Sequence, residues 1–277
     1  MKIIKKIFTF ILITIIFATS LLIYMAKIEP NMLIARNYNI QIDENKEPSN
    51  IKIVQFTDTQ LGQFYSLSQL EQAVNKINEQ DPDIVLFTGD LIDKANQYKD
   101  IDKVTSIMSN INSKLGKYAV WGNHDYGSGG HKYYENIMTN SGFKVLVNET
   151  VSISINKDKN ITISGLDEVM FGKPDAKHII KMTNSDDVNI LMLHEPDLIS
   201  EFKDSNIDLA VAGHSHGGQV ALPFIGAIVT PPFGEKYTKG FYEISDRTKL
   251  YVNSGLGNTR SPFRLMNIPE ISVFNVE

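Results

Sequence analysis

The 277-residue sequence contains no cysteine, which excludes a disulfide framework and a thiolate metal site; any metal must be held by imidazole, carboxylate and amide groups. It also has no basic excess. With 27 Lys and Arg against 32 Asp and Glu, the net charge of −5 lacks the positive footprint that a binder of duplex nucleic acid carries. No internal repeat or low-complexity tract is present. With 42% hydrophobic and 21% charged residues, the composition is that of one ordinary folded domain with a large core, not of a disordered chain.

One long apolar run is present. Lys2, Lys5 and Lys6 precede an uncharged stretch from Ile7 to Ala26, about 20 residues and enough to cross roughly 30 Å of hydrocarbon. It has no polar face, which argues against a buried core helix. Ala18-Thr19-Ser20 offers a small-residue cleavage site but falls inside the run, so residues 1–27 are read as an uncleaved, single-pass anchor. The lysines ahead of the run favour a cytoplasmic N-terminus and send the rest outside the membrane. Residues 28–50, with the polar stretch Asp43 to Asn50, read as an extended juxtamembrane linker, and 51–277 as one domain.

From Ile51 onward strands and helices alternate. Strand 51–57 leads to a helix whose start is marked by the capping box Ser68-Gln69-Leu70-Glu71 and whose apolar face is Leu70, Val74 and Ile77. Strand 84–88, a helix near 100–112 and strand 118–121 complete a βαβαβ opening. Short β runs follow at 143–147, 151–155, 161–165, 189–193 and 208–212, with helices at 132–140, 175–182 and 196–204, and the remainder looks purely β. This order predicts an α/β domain with mixed sheets packed on each other. The apolar stretch Val220 to Val229 reads as a buried β-hairpin, with contact to lipid as the second reading. The Gly-rich segment 127–134 reads as a connecting loop.

In open α/β sheets chemistry gathers at the carboxyl ends of strands. The polar residues there are Asp58-Thr59-Gln60, Gly89-Asp90-Leu91-Ile92-Asp93, Gly122-Asn123-His124-Asp125, His194-Glu195 and Gly213-His214-Ser215-His216, and they take four of the six histidines. His131 and His178 fall elsewhere and are left out of the site. The i, i+2 spacing of Asp58/Gln60 and of His214/His216 would put each pair on one side of an extended segment. With Asp90 as a carboxylate able to bridge, Asn123 as a neutral oxygen and His194 as an imidazole, the donors suffice for two divalent ions about 3.5 to 4 Å apart.

These blocks resemble the pattern DxH, GDxxD, GNH(D/E), His, GHxH of the calcineurin-like metallophosphoesterase superfamily, and the resemblance covers nearly the whole chain after residue 51. The tail GHSHGGQV, Pro-Pro-Phe-Gly at 231–234 and NSGLGNTRSPFRLMNIPE is similar to its membrane-associated bacterial branch, which includes lipid-sugar pyrophosphatase-like members. The resemblance implies a four-layer αββα sandwich with two mixed β-sheets. It implies one metal on Asp58, Gln60, Asp90 and His216 and another on Asp90, Asn123, His194 and His214, with His124 beside the substrate phosphate and Asp93 orienting its ring. The departure is Gln60, where the family has histidine.

The chemistry implied is hydrolysis of a phosphoester: two dications lower the pKa of a shared water and neutralise the phosphoryl oxygens that it attacks in line. Expected ions are manganese, iron or zinc, with the Gln60 amide shifting the first position toward harder cations. Arg260 and Arg264 are candidate clamps for a substrate phosphate, Arg264 being the better match to the branch. The expected substrate is a phosphodiester or pyrophosphate, lipid-linked, of the cell envelope or a nucleotide. The alternative is a catalytically weak binding scaffold at the membrane, raised by Gln60.

Overall fold

The computed structural model describes residues 2–42, 51–156 and 159–277; the polar stretch Asp43 to Asn50 lies outside them. Helix α1, Lys2–Ile23, buries none of its residues and continues through a π turn, Tyr24–Ile28, and a 3-10 turn, Glu29–Asn31. It is long and apolar enough to cross a membrane.

The first sheet is built from β1 (Ile34–Ile40), β2 (Ile51–Phe56), β3 (Ile84–Phe87), β4 (Gly116–Ala119) and β5 (Phe143–Val145), with β14 (Glu270–Val276) inserted between β1 and β2. Strands β2 to β5 run parallel, and β14 is antiparallel to β2 but parallel to β1. Helices α2 (Leu67–Asn78), α3 (Ile101–Ser109), the one-turn α4 (Asn123–Tyr126) and α5 (Tyr134–Asn140) belong to this half.

The second sheet has the order β12 (Gly240–Glu243), β13 (Lys249–Val252), β9 (Leu209–Ala212), β8 (Val188–Met192), β7 (Lys159–Gly165) and β6 (Glu149–Asn156), parallel in its centre and antiparallel at both edges. Helix α6 (Ala176–Met182) and a 3-10 segment, Pro196–Phe202, cover its outer face, and β10 (Ala221–Leu222) and β11 (Gly226–Ala227) form a separate hairpin.

Three cores separate four layers, as an αββα sandwich requires. One lies between α2, α3, α5 and the first sheet; a second, from Ile53, Leu86 and Val120 to Ile163, Ile190 and Val211, lies between the sheets; the third lies under α6. Central strands are apolar on both faces because both faces are covered, so IVLF and LAVA carry no alternation. Each such buried aliphatic side chain stabilises the fold by about 1.5–3 kcal/mol.

Two expectations are corrected here. Helix α2 is capped by Ser66, not Ser68: Ser66 Oγ accepts from Gln69 N at 3.3 Å and Gln69 Oε1 accepts from Ser66 N at 2.9 Å. The earlier start brings Leu67 onto the core face with Leu70, Val74 and Ile77. The linker expected over 28–50 is also partly inside the domain. Strand β1 completes the first sheet, and Arg36 Nε donates to Glu270 Oε2 at 2.6 Å while Tyr38 and Tyr251 hydroxyls meet at 3.0 Å.

Candidate metal centre

All five polar blocks lie at the carboxyl ends of strands: Asp58 and Gln60 after β2, Asp90 and Asp93 after β3, Asn123 and His124 after β4, His194 after β8, His214 and His216 after β9. They converge, though not as extended segments. Asp58, Gln60, Asp90, His214 and His216 have φ of 51°, 47°, 63°, 67° and 49°, in the left-handed region that non-glycine residues avoid. Tight turns, and not a continued strand, bring each i, i+2 pair to one side. Strain of order 1–3 kcal/mol per residue persists only where surrounding contacts enforce it.

Those contacts are present. Asp125, buried, accepts from the backbone N–H groups of Asp90 (2.7 Å), Leu91 (2.9 Å) and Gly122 (2.9 Å), which locks the GD and GNH loops together. Asp58 Oδ2 accepts from His214 N at 3.0 Å and Thr57 Oγ1 at 2.8 Å. The glycines are there for close approach: a Cβ on Gly122 would lie 2.2 Å from Asp90 Oδ1, and one on Gly213 2.3 Å from Asp58 Oδ2.

Three imidazoles are aimed by backbone carbonyls. His194 Nδ1 lies 2.6 Å from Thr88 O, His214 Nε2 2.8 Å from Pro232 O, and His216 Nδ1 3.1 Å from Gly257 O. A carbonyl can only accept, so each of these nitrogens carries the proton and the other is free to ligate. The free nitrogens face inward: His194 Nε2 is 3.2 Å from His214 Nδ1, 3.3 Å from Asn123 Oδ1 and 3.4 Å from Asp90 Oδ2, and His216 Nε2 is 3.3 Å from Asp58 Oδ1.

Gln60 Nε2 donates to Asp90 Oδ2 at 2.6 Å, while its Oε1 and Asp58 Oδ1 are buried without a hydrogen-bond partner. Buried polar atoms are almost always satisfied, and two orphaned oxygens beside inward-facing imidazoles fit a divalent cation. Ligand atoms of Asp58, Asp90 and His194 lie within 4.8 Å of one another, as do those of His194, Glu195 and His214.

The protonation of His214 and His216 agrees with this, and that of His194 depends on whether a cation is bound. Burial pulls His214 down to about 4, with the His194 charge adding, and pulls His216 down to about 3, with the Arg264 charge adding, so both rings are neutral. Burial pushes Asp58 up to about 6. For Asp90 burial is outweighed by the charges of His194 and His124, and its carboxyl stays well below the usual range. Burial would lower His194 too, but Asp90 lifts it; a divalent cation would compete with that proton for the same acidic surroundings.

His124 stands at the rim of the cleft, its Nδ1 2.8 Å from Asp93 O and 3.3 Å from Asp93 Oδ1. Burial opposes its charge, but Asp90 and Asp93 prevail and raise its pKa above the ordinary imidazole value. The cleft is lined by Gln60, Asp90, Asn123, His124, His214 and His216, with Met170, Val229, Thr230 to Pro232 and Arg260 around the mouth.

The two arginines part company. Arg260 is exposed at the cleft. Arg264, expected as the better clamp, is fully buried and spends its guanidinium inside the protein. It donates to Asn258 Oδ1 (2.9 Å) and to the carbonyls of Ser254 (3.1 Å), Asn267 (2.9 Å), Gly255 (3.1 Å) and Gly257 (2.6 Å). Its five N–H donors are matched by five acceptors, so none remains for a phosphate. It holds the loop whose Gly257 carbonyl orients His216.

Two carboxylates of these blocks have no role in the family pattern. Asp125, the fourth residue of Gly-Asn-His-Asp, ties the GD and GNH loops together through three backbone N–H groups. Glu195, beside His194, is buried with both oxygens unpartnered, and burial holds its pKa well above the usual range.

Residues 51–218 match the family model described as calcineurin-like phosphoesterase. This chain is a calcineurin-like phosphoesterase. Among curated relatives, the phosphoesterase is 37% identical over 255 residues to the metallophosphoesterase YkuE of Bacillus subtilis, covering 92% of this chain and 89% of that one. It is 25% identical over 306 residues to the protein named UDP-2,3-diacylglucosamine pyrophosphatase LpxG of Chlamydia muridarum, covering 91% of each. Among solved structures, NAD nucleotidase of Haemophilus influenzae superposes with a TM-score of 0.51 at 14% identity, over 74% of this phosphoesterase and 45% of that chain, a likeness of fold alone. The family and the buried His/Asp cluster make this a metal-dependent phosphoester hydrolase.

Proposed function

We propose that the chain is a membrane-anchored, binuclear phosphohydrolase acting on a phosphodiester or pyrophosphate. The observation that carries this reading is the set of three buried imidazoles, each pinned from behind by a carbonyl: His194 turns its other nitrogen to Asp90 and Asn123, His216 turns its own to Asp58, and His214 turns its own to His194. Asp58, Gln60, Asp90 and His216 would hold one ion, and Asp90, Asn123, His194 and His214 the other. The reach of Asp90 Oδ2 to both Gln60 and His194 supports its role as the shared ligand. Nitrogen and oxygen donors without sulfur suit manganese, iron or zinc. When bound, two such ions supply a water acidic enough to act near neutral pH and neutralise the phosphoryl oxygens.

The remaining tasks fall to the protein. His124, kept as an imidazolium by Asp90 and Asp93, donates a proton to the leaving oxygen, and Asp93 holds the ring toward the cleft. Asp90 also takes the backbone N–H of His124 at 2.8 Å, so the acid is positioned by the residue proposed to bridge the ions. Arg260, on the rim, would steady a charged group of the substrate. The name of LpxG supports a lipid-linked pyrophosphate or diester over a monoester. Lys2, Lys5 and Lys6 ahead of α1 support an extracytoplasmic domain.

The test is hydrolysis of bis-p-nitrophenyl phosphate by the full chain in detergent after chelation and metal add-back. Turnover restored by manganese, iron or zinc is expected; no turnover with any of them would sink the proposal. Added protease should digest the domain on intact cells, and a protected domain would overturn the orientation.

A further inference from the structure

The stretch Val220 to Val229 was read as a buried hairpin, and the structure shows the opposite. Phe224 is fully exposed at 109%, Ile225 at 73%, Val229 at 64% and Ile228 at 55%, and Met266 beside the hairpin root is at 58%. Single exposed apolar side chains are ordinary, but a contiguous patch of this kind marks an interaction surface. The tip is also strained in an informative way. Ile225 N donates to Leu222 O at 3.2 Å across Pro223-Phe224, and Phe224 has φ 66°. Such a turn, with proline second, asks for glycine or asparagine in third place. A phenylalanine there is held against its backbone preference and points at nothing in the domain.

The root of this hairpin is tied to the membrane helix. Ala221 N donates to Leu265 O at 2.9 Å, Leu265 N to Gln219 O at 3.0 Å, and Arg264 N to Met25 O at 2.9 Å, where the apolar run ends. Asn267 N donates to the buried Glu29 Oε1 in the turn that follows. The same Asn267 donates its side-chain amide to His216 O. Segment 264–267 thus joins three things by hydrogen bonds: the end of the membrane span, the hairpin and a metal-centre loop. Val229, just past the returning strand, with Pro231 and Pro232, walls the cleft.

We propose that the hairpin tip, Leu222 to Val229, is a finger immersed in the bilayer beside α1, and that the lipid is its partner. Continuity with the membrane span selects lipid as the occupant, since α1 and the finger leave the domain from one hydrogen-bonded segment, the uncharged run of α1 from Ile7 is mostly apolar and the finger carries apolar side chains only. Aromatic and aliphatic groups at such a tip gain by entering the interfacial region. Two attachments fix the domain's tilt, which one flexible tether would not, and set the mouth of the cleft against the lipid surface. Resting on the phosphohydrolase reading, this assigns a substrate class: amphiphiles whose phosphoester reaches the cleft while their chains stay in the membrane.

The cysteine-free chain makes the test direct. Full-length Ile225→Cys, Ile16→Cys and Lys203→Cys variants would be labelled with an environment-sensitive fluorophore and reconstituted in phosphatidylglycerol–phosphatidylcholine vesicles carrying doxyl-labelled lipid. The label at 225 should be quenched by the lipid probe as the one in α1 is, unchanged by diluting the protein about tenfold into lipid, while the label at 203 is quenched only by aqueous iodide. Iodide quenching at 225 would overturn the proposal. So would a shielded label that loses its shielding on dilution, which would mean a second copy covers the tip. Phe224→Asp with Ile225→Asp should keep the rate on soluble bis-p-nitrophenyl phosphate and lose about tenfold or more on a vesicle-embedded phosphodiester. Equal rates on the embedded substrate would refute the substrate class while leaving the quenching result to stand; a parent inactive on both substrates would instead refute the phosphohydrolase reading.

Discussion

Replacing Arg264 by methionine separates a structural arginine from a substrate clamp. The variant keeps the stem's packing but leaves Asn258 Oδ1 and the carbonyls of 254, 255 and 267 without a donor, while the Gly257 carbonyl keeps only His216 Nδ1. Each orphaned acceptor costs about 1 kcal/mol or more. Removing a buried cation also recovers part of its desolvation, leaving a net loss of about 3–5 kcal/mol. For a domain of this size each kcal/mol moves the midpoint by about 2–4 °C, so thermal unfolding should begin about 10 °C lower. The buried Trp121, stacked on Tyr126 at 4.5 Å, reports this in a fluorescence melt of the detergent-solubilised chain. Arg260→Met, on the surface, serves as the control and should melt like the parent. If Arg264→Met also melted within about 2 °C of the parent and only raised KM, the guanidinium would be contacting substrate and the account of the 254–267 loop would be wrong.

Other outcomes follow from the same geometry. His124→Ala should lower kcat by about 10²–10⁴-fold with metal content unchanged, as loss of a general acid does; a variant that loses its metals as well would point to ligation. Because the folded protein raises the His124 pKa above 6.5, the imidazolium persists beyond its usual range. Turnover that needs this proton should be level below the raised value and fall as pH climbs through it. In Asp93→Asn that fall should begin at lower pH, and an unmoved limb in the pH profile would count against Asp93. Gln60→His should bind its ion more tightly and favour zinc over manganese in competition, since imidazole is the softer donor; unchanged selectivity would remove Gln60 from the ligand set.

What could be read from sequence was what chemistry demands locally. Asp58, Asp90, His124, His194, His214 and His216 were legible because each follows an apolar strand within a few residues, and strand ends are where an α/β sheet gathers its site. The features missed depend on partners far along the chain. Strand β1 looks like a linker until β14, more than 230 residues later, pairs with it. Arg264 looks like an exposed cation until four carbonyls fold around it, and the Val220–Val229 run looks like core because apolarity alone does not say which neighbour covers it. The left-handed turns at 58, 60, 214 and 216 carry no clear signature either, since glycine is the residue that marks such a turn, and Asp and His, though commoner there than other side chains, mostly adopt ordinary backbone conformations.

Asp90 decides the central claim, because its carboxylate reaches both Gln60 and His194 and so is placed to serve both proposed ions. Metal content per chain, measured after dialysis against limiting manganese or zinc, should be two for the parent and fall to one or none in Asp90→Asn, with hydrolysis of bis-p-nitrophenyl phosphate lost in parallel. An Asp90→Asn chain that melts like the parent, retains two ions and still turns over would contradict it.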